Sequence, residues 1–557
     1  MSSTLKLPET AAKRFARTEA LDVLGAESFA EFSAIRVPGE VLWCNFELAR
    51  ELGFNVPRKN RLTPALHHEL IAKLSLRAVT PDDDVCGAEI ITMYADRYGG
   101  DGVSPALGSG RAGFLPEGSL YIKGLGFTPL FRHNDKDDFV HSHGGVHLED
   151  CMSEAIFGEV DHNLFDLGSR RLVAIIDQRK FVVDPSGRRR HLALAVRTGA
   201  QLRPGHLLAK RVRGSRSPLE MFVNITQATN QLVTQASSNL PDLSATMLRV
   251  IDDHARTAAD SFRWRVIHGA LSPSNMDMSG AMLDLPTQST QPRTAPIFKL
   301  DYVQSAFGTE HKERGFYLAE MYRRILRTTD AITRDRFNLK SIGVSNQMDL
   351  EYAKHLQVKL VAATGIGTRI AREIQQRSDL AKRFSEVFLA LASLRNPGRA
   401  CVARKVVTDL CVVDVFGVLA RLPSEFFGEG DLRAAVLEHA EPIYKGNRFH
   451  VASKKRRVEQ LAAEFGEIYR DIMREARNYY ASDAEMERSI SARAAFENRP
   501  IEALYCYPLY QSLNRAIDEY KATGNAKIIS DTIDTLVSQS LRNLDRFWLN
   551  RPALRVI

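Results

Sequence analysis

Cysteine is sparse and unpatterned in this chain. The six, Cys44, Cys86, Cys151, Cys401, Cys411 and Cys506, include no Cys-x-x-Cys. That excludes a zinc ribbon and a thioredoxin-like motif, and free thiols in a reducing compartment are the expectation. No apolar run approaches the ~18 residues of a membrane span. The opening Met1-Ser-Ser-Thr-Leu-Lys-Leu-Pro8 lacks the apolar core of a signal peptide. These absences predict a soluble, cytoplasmic protein with no membrane partner. A strong charge of one sign is also missing. The net charge is +8 over 557 residues, and without clustering that is no nucleic-acid footprint. It suits a protein that handles a polyanion such as ATP without demanding one. Repeats and long low-complexity tracts are absent. What remains is an ordinary globular balance, 44% hydrophobic and 25% charged, long enough for about two to four domains.

Four regions are expected: a polar lead over 1–30, a strand-rich region over 31–217, a second region over 218–344, and a helical region over 345–557. In the first half, Val41-Leu-Trp-Cys-Asn45 leads into a helical pattern that stops at Gly53, and Thr63 to Leu76 reads as a helix. Residues 88–126 alternate short apolar runs with glycines, the pattern of strands and tight loops. Leu107-Gly-Ser-Gly-Arg111-Ala112 is a hairpin whose backbone N–H groups and Arg111 suit phosphate, or simply a Gly-rich turn. Lys123 ends the alternating Leu120-Tyr-Ile, either as a nucleotide lysine or as a solvent-facing one. Residues 133–147 hold His133, His141, His143 and His147 among three aspartates. Their spacing fits no familiar zinc pattern, and a solvated loop is the expectation. Leu148 to Ile156 reads as a helix that sets Glu149 opposite Lys123, or leaves it as a surface charge. Arg171–Asp177 and His191–Arg197 read as paired strands around Pro185-Ser-Gly187. Arg197 and Arg203, at a strand exit, form a charge clamp suited to phosphate. Past residue 310 the chain is mostly amphipathic helix. Val358 to Gly367 resembles a strand entering a phosphate loop, with Ile370 where a third glycine would stand. Lys454-Lys-Arg-Arg457 reads as the solvated start of a helix.

The densest chemistry lies between His268 and Asp284: His268-Gly-Ala-Leu-Ser-Pro-Ser-Asn275-Met-Asp-Met-Ser-Gly-Ala-Met-Leu-Asp284. A turn, a proline-broken loop, an Asn and a distal Asp follow one another as in the metal-binding loop of protein kinases. Oxygen ligands of this kind suit Mg²⁺, which takes one or two carboxylates plus phosphate oxygens and water.

Taken in order, these pieces resemble the selenoprotein O family of pseudokinase-fold protein adenylyltransferases. The resemblance is carried by Val41 to Gly53, Met93 to Gly100, Leu107 to Ala112, Ile122 to Pro129 with Arg132, Glu149 to Ala155, Val196-Arg197 with Leu202 to His206, and His268 to Asp284. It covers about residues 32–305. It implies an α+β, protein-kinase-like two-lobed fold with an added helical C-terminal region. It also implies ATP bound in inverted orientation, so that AMP passes to a hydroxyl side chain of a protein or peptide acceptor. By motif, Gly108, Gly110 and Arg111 would touch the nucleotide. Lys123, Arg197 and Arg203 would hold phosphates, with Glu149 orienting Lys123. Asn275 and Asp284 would hold Mg²⁺ or Mn²⁺.

The departures from that family are specific. Ser274 stands where the family has its presumed catalytic-base Asp, and serine is no comparable base near neutral pH. Asp277 is the next carboxylate along. The Gly-Asp-Gly-Arg loop has become Gly-Ser-Gly-Arg, and the interval from Arg197 to Arg203 is one residue short. Two alternatives follow. A carboxylate acceptor needs no base, which points to acyl-adenylate formation. A nucleotide-binding pseudoenzyme acting as a scaffold would need no chemistry at all.

Overall fold

The computed structural model describes residues 20–83, 86–99, 108–116, 120–131, 143–209, 214–235, 240–291, 298–300, 303–305, 308–330, 341–394, 412–440 and 448–542. The protein is mixed α+β, and its first half is organised around one large antiparallel sheet. The strands are β1 (Phe29–Arg36), β2 (Glu40–Cys44), β3 (Leu76–Ala78), β4 (Ile90–Asp96), β5 (Ala112–Phe114), β6 (Leu120–Lys123), β7 (Val146–His147), β8 (Leu172–Val183) and β9 (Arg189–Thr198). Their order is β2-β8-β9-β6-β5-β4-β1-β3, with β7 on β9. The β8–β9 hairpin turns where Asp184 Oδ1 accepts the N–H groups of Ser186 and Arg188, each at 2.9 Å. The first half of β8, Leu172 to Asp177, is buried throughout, as a near-continuous apolar run predicts for a strand covered on both faces.

Alternation divides the sheet into two faces. Leu120 and Ile122 of β6, with Leu194 and Val196 of β9, pack on one side. There they meet Leu66, Leu70 and Leu74 of the helix Pro64–Leu74. Among the described residues of the first 80, the α-helices are α1 (Ala20–Leu24), α2 (Phe46–Glu51) and α3 (Pro64–Leu74). Asn45 caps α2 and Thr63 caps α3, as side-chain oxygens at that position do. The other face turns Tyr121, Lys123, Ala195 and Arg197 toward α4 (Leu148–Leu164), whose Cys151 and Met152 share a core with Ala193 and Ala195.

The helices that follow are α5 (Pro204–Leu208), α6 (Pro218–Ala228), α7 (Leu243–Trp264), α8 (Glu310–Thr328), α9 (Ser341–Val361), α10 (Thr368–Arg377), α11 (Leu380–Ser393), α12 (Val415–Phe427), α13 (Leu432–Glu438), α14 (Arg448–Ala476), α15 (Asp483–Asn498), α16 (Cys506–Thr523) and α17 (Lys527–Leu541). Among the described residues no helix is long and apolar enough to cross a membrane. The resemblance of Val358 to Gly367 to a strand and phosphate loop does not hold. Residues 358–361 end α9, and a wide π-type turn over Ala362–Ile366 follows, with Gly365 at φ +100°. Gly365 is close-packed instead: a Cβ there would stand 2.3 Å from the Ile490 carbonyl oxygen. Lys454 to Arg457 lie inside the long helix α14 rather than at its start.

The last helices do not form a separate body. Leu509, Leu513, Ile529 and Ile533 share the core of α4, and Trp43 Nε1 of β2 donates to Asp534 Oδ1 at 3.0 Å. Behind the His268–Asp284 loop, short strands β10 (Val266–Ile267) and β11 (Ser289–Thr290) pair and close its base. C-terminal residues grip both ends of that loop. Arg263 pairs with Glu497, and Arg265 Nη2 donates to the Asn498 carbonyl at 3.1 Å. Thr290 Oγ1 donates to the Ile501 carbonyl at 2.9 Å, and Tyr510 donates to that of Pro286 at 3.1 Å.

Candidate functional site

The register of β6 on β9 sets Tyr121 opposite Arg197 and Lys123 opposite Ala195. Both cations therefore project from the same face, toward α4 and the loop. Lys123 Nζ donates to Asp284 Oδ1 at 2.5 Å, and Arg197 Nη2 donates to the same oxygen at 2.7 Å. Arg197 also makes a two-pronged bond to Glu154 of α4, with Nη2 2.7 Å from Oε2. Both side chains of that pair are only 1% exposed.

These contacts revise one expected role. Glu149 does not orient Lys123; it pairs with Arg190 of β9, and Glu154 takes the central position. The helix enters with Glu149 in its first turn, so the inward-facing carboxylate comes five residues later. Glu154 lies within the Ser-Glu-Ala that carries the family resemblance. That was the available signal, but helix entry cannot be read from local spacing.

The charges are mutually dependent. Burial pushes the Asp284 carboxyl up, but Lys123 and Arg197 outweigh it and hold it well below the usual carboxylate range. Burial lowers the Lys123 ammonium, and Asp284 offsets this only in part. For Arg197 the neighbouring Glu154 and Asp284 overcome burial and raise it.

Arg203 approaches from the β9–α5 connection. One of its Nη atoms donates to the Ser274 carbonyl, and its guanidinium lies 4.8 Å from the Tyr98 ring centre and 5.8 Å from that of Tyr121. Its backbone N–H donates to His206 Nδ1 at 2.9 Å. His206 Nε2 therefore carries the proton and faces Asp96 Oδ2 at 3.0 Å. Burial raises Asp96, but His206 and Arg203 outweigh it and the net shift is downward. Ser109 Oγ donates to Asp96 and lies 2.5 Å from the Tyr121 hydroxyl. An aspartate at 109, as in the motif that the sequence resembles, would oppose Asp96 with a like charge; serine supplies a donor instead.

Gly108 sits at φ +132°, and a Cβ there would stand 2.1 Å from the Asp96 carbonyl oxygen. Its glycine is therefore required by protein packing whatever else approaches. Gly110 is held against Phe131, 3.2 Å from a built Cβ. Arg111 Nη1 donates to the Gly145 carbonyl at 2.7 Å, tying the glycine loop to the segment before α4. Of the His- and Asp-rich stretch, residues 132–142 lie outside the described residues.

The loop carrying Asn275 and Asp284 is rigidly framed. His268 Nε2 donates to the Leu283 carbonyl at 2.8 Å, and the His268 N–H donates to Glu310 Oε1 at 2.7 Å. Burial holds this imidazole below its ordinary range. Gly269, at φ +83°, lies where a Cβ would be 2.5 Å from the Thr287 carbonyl oxygen. Asp284 itself is left-handed at φ +60°, a conformation that Asp tolerates better than most residues. Asn275 Nδ2 donates to the Ala270 carbonyl at 2.8 Å, a bond that does not engage its Oδ1. The bonds to Asp284 fall on Oδ1 and leave Oδ2 uncommitted. One amide and one carboxylate oxygen suit Mg²⁺ or Mn²⁺ completed by phosphate and water. Among the described residues no group of three or more His, Cys, Asp or Glu is arranged to hold a metal without such help.

Asp277 is sealed away. It is fully buried, and Arg170 grips it through Nε at 2.8 Å and Nη2 at 2.9 Å. Ser274 Oγ lies 2.8 Å from Ser272 Oγ. No protein-family model matches the chain, and no curated protein matches it either.

Proposed function

We propose that the chain is an ATP- and metal-dependent adenylyltransferase on a protein-kinase-like, two-lobed scaffold, moving AMP from ATP to a protein or peptide acceptor. The observation that carries this reading is the convergence of Lys123 and Arg197 on one oxygen of Asp284, with Glu154 bracing Arg197 from behind. Such a cluster is poised for exchange. Triphosphate oxygens entering beside Lys123, Arg197 and Arg203 would replace Asp284 as partner of the first two. A Mg²⁺ or Mn²⁺ ion on Asn275 and Asp284 would supply charge neutralisation for the phosphates. In the transfer, an acceptor oxygen bonds to the α-phosphorus while the bond from that phosphorus to the bridging oxygen breaks. Pyrophosphate leaves, and the acceptor's proton, if it has one, goes to water. Preorganised cations serve such a step by positioning and by stabilising the developing charge.

A second reading is favoured by one arrangement, the serine at 274 with Asp277 locked on Arg170. Neither takes a proton from a hydroxyl acceptor. A carboxylate acceptor carries no proton at neutral pH, and the product would be an acyl-adenylate. Pyrophosphate release measured for wild type, Asn275→Ala and Asp284→Ala tests the common core of both readings. Both variants should lose metal-dependent release; full activity in both would remove the metal assignment. ATP binding without any release by the wild type would leave a nucleotide-binding scaffold.

A further inference from the structure

The connection between β9 and α5 holds a residue that the charge argument does not use. Gln201 is completely buried. Its backbone lies at φ +38°, in the left-handed region that a side chain of this size occupies only at a cost. Its Oε1 accepts from Arg197 Nη1 at 3.3 Å and from Arg203 Nη2 at 3.0 Å. That double acceptance sets the amide orientation, because the flipped amide would turn an NH₂ onto two guanidiniums that can only donate. Nε2 is therefore the remaining donor, and it is buried with no hydrogen-bond partner. The Nε of Arg203 is in the same state.

Buried donors without acceptors are rare in folded chains, because each forfeits its hydration. These two stand two residues apart, and Gln201 bonds both arginines; none of the three groups can accept a bond there. The ligand that satisfies them is an anion with several acceptor oxygens, the description of a phosphoryl group. We propose that Gln201 is a phosphate-binding residue. Its Oε1 spaces Arg197 and Arg203 as the two tines of a fork, and its Nε2 donates to a phosphoryl oxygen bound beside them. This rests on the nucleotide-binding reading above. The strained backbone at Gln201 is then retained because it points the amide between the two arginines.

Gln201→Glu separates this role from a merely structural one. The carboxylate keeps the size and both arginine contacts, and strengthens them by charge. It also replaces the donor with an acceptor and sets a negative charge against the phosphate. Calorimetric binding of Mg·ATP, with thermal unfolding of the same samples, gives the two readouts. The unfolding midpoint of Gln201→Glu should equal or exceed that of the wild type while ATP binds at least about tenfold more weakly. Gln201→Met, which loses both functions, should fall in both. Equal ATP affinity in wild type and Gln201→Glu overturns the proposal and leaves the nucleotide reading standing. A wild type that binds neither Mg·ATP nor inorganic tripolyphosphate overturns both.

Discussion

Replacing Glu154 by glutamine tests which carboxylate organises the cations. In the wild type two carboxylates, Glu154 and Asp284, face Lys123 and Arg197, with the Arg197–Glu154 pair almost wholly out of solvent. Removing one partner of a buried pair costs about 3–5 kcal/mol, because the other charge is stranded. Here Asp284 still holds Arg197, and the glutamine oxygen still accepts one bond, so the loss belongs at the lower end, about 3 kcal/mol. Glu149→Gln should cost only about 1 kcal/mol, since its partner Arg190 is 22% exposed and also has Asp184 at 3.7 Å. The assay is denaturant unfolding of both variants with and without Mg·ATP. Glu154→Gln should be the less stable, and it should lose ATP binding because Arg197 is no longer braced. Should Glu149→Gln prove the more damaging in both measurements, Lys123 is organised from the start of α4 and the geometry above is wrong.

Asp277→Asn should lower stability by about 3 kcal/mol, as expected for a broken buried pair, yet leave the turnover number of folded enzyme near wild type. A large fall in turnover with stability intact would make Asp277 the base. Burial, reinforced by Arg314, holds His254 at about 3, down from 6.5. The unfolded chain therefore takes up a proton near pH 6.5 that the folded chain refuses, so stability is full above pH 6.5 and falls as pH drops toward 3. Unfolding midpoints across pH 4 to 7 should fall less steeply for His254→Asn; an unchanged slope refutes this. Lys359 of α9 bridges Asp166, at 2.8 Å, and Asp260, whose carboxyl burial pushes up to about 6. Lys359→Met should cost about 3–5 kcal/mol near pH 8. Lys359 itself holds Asp260 down, so without it the carboxyl takes a proton above pH 6, and the loss should shrink as pH falls from 8 toward 6; a pH-independent loss would show that the ion pairs are not its source.

Strand alternation is local, so the sequence shows Lys123 ending one strand and Arg197 ending another; that both stand on one face follows from the register of β6 on β9, which period alone does not give. The His268–Asp284 loop announces itself by a turn, a proline and two oxygen-bearing side chains. Caps at Asn45 and Thr63 likewise declare where helices begin. What was not legible depends on distant partners. The choice between Glu149 and Glu154 is made by the way α4 enters against the sheet. The fate of Asp277 is decided by Arg170, more than a hundred residues away. Val358 to Gly367 has the apolar run and glycines of a strand and phosphate loop, but packing against α15 makes it a helix end. The contacts of residues 497–510 with both ends of the His268–Asp284 loop have no local signature either. The helical C-terminal stretch therefore read as an appendage, although it supports both the loop and α4.

One measurement bears most directly on the adenylyltransferase reading. Purified protein is incubated with Mg²⁺ or Mn²⁺ and ATP labelled separately at the α- and γ-phosphates, and protein-bound label and pyrophosphate are followed. Adenylyl transfer predicts incorporation from the α-label alone, matched by pyrophosphate release and abolished by Asp284→Ala. Incorporation from the γ-label alone would mean ordinary kinase chemistry and would contradict it.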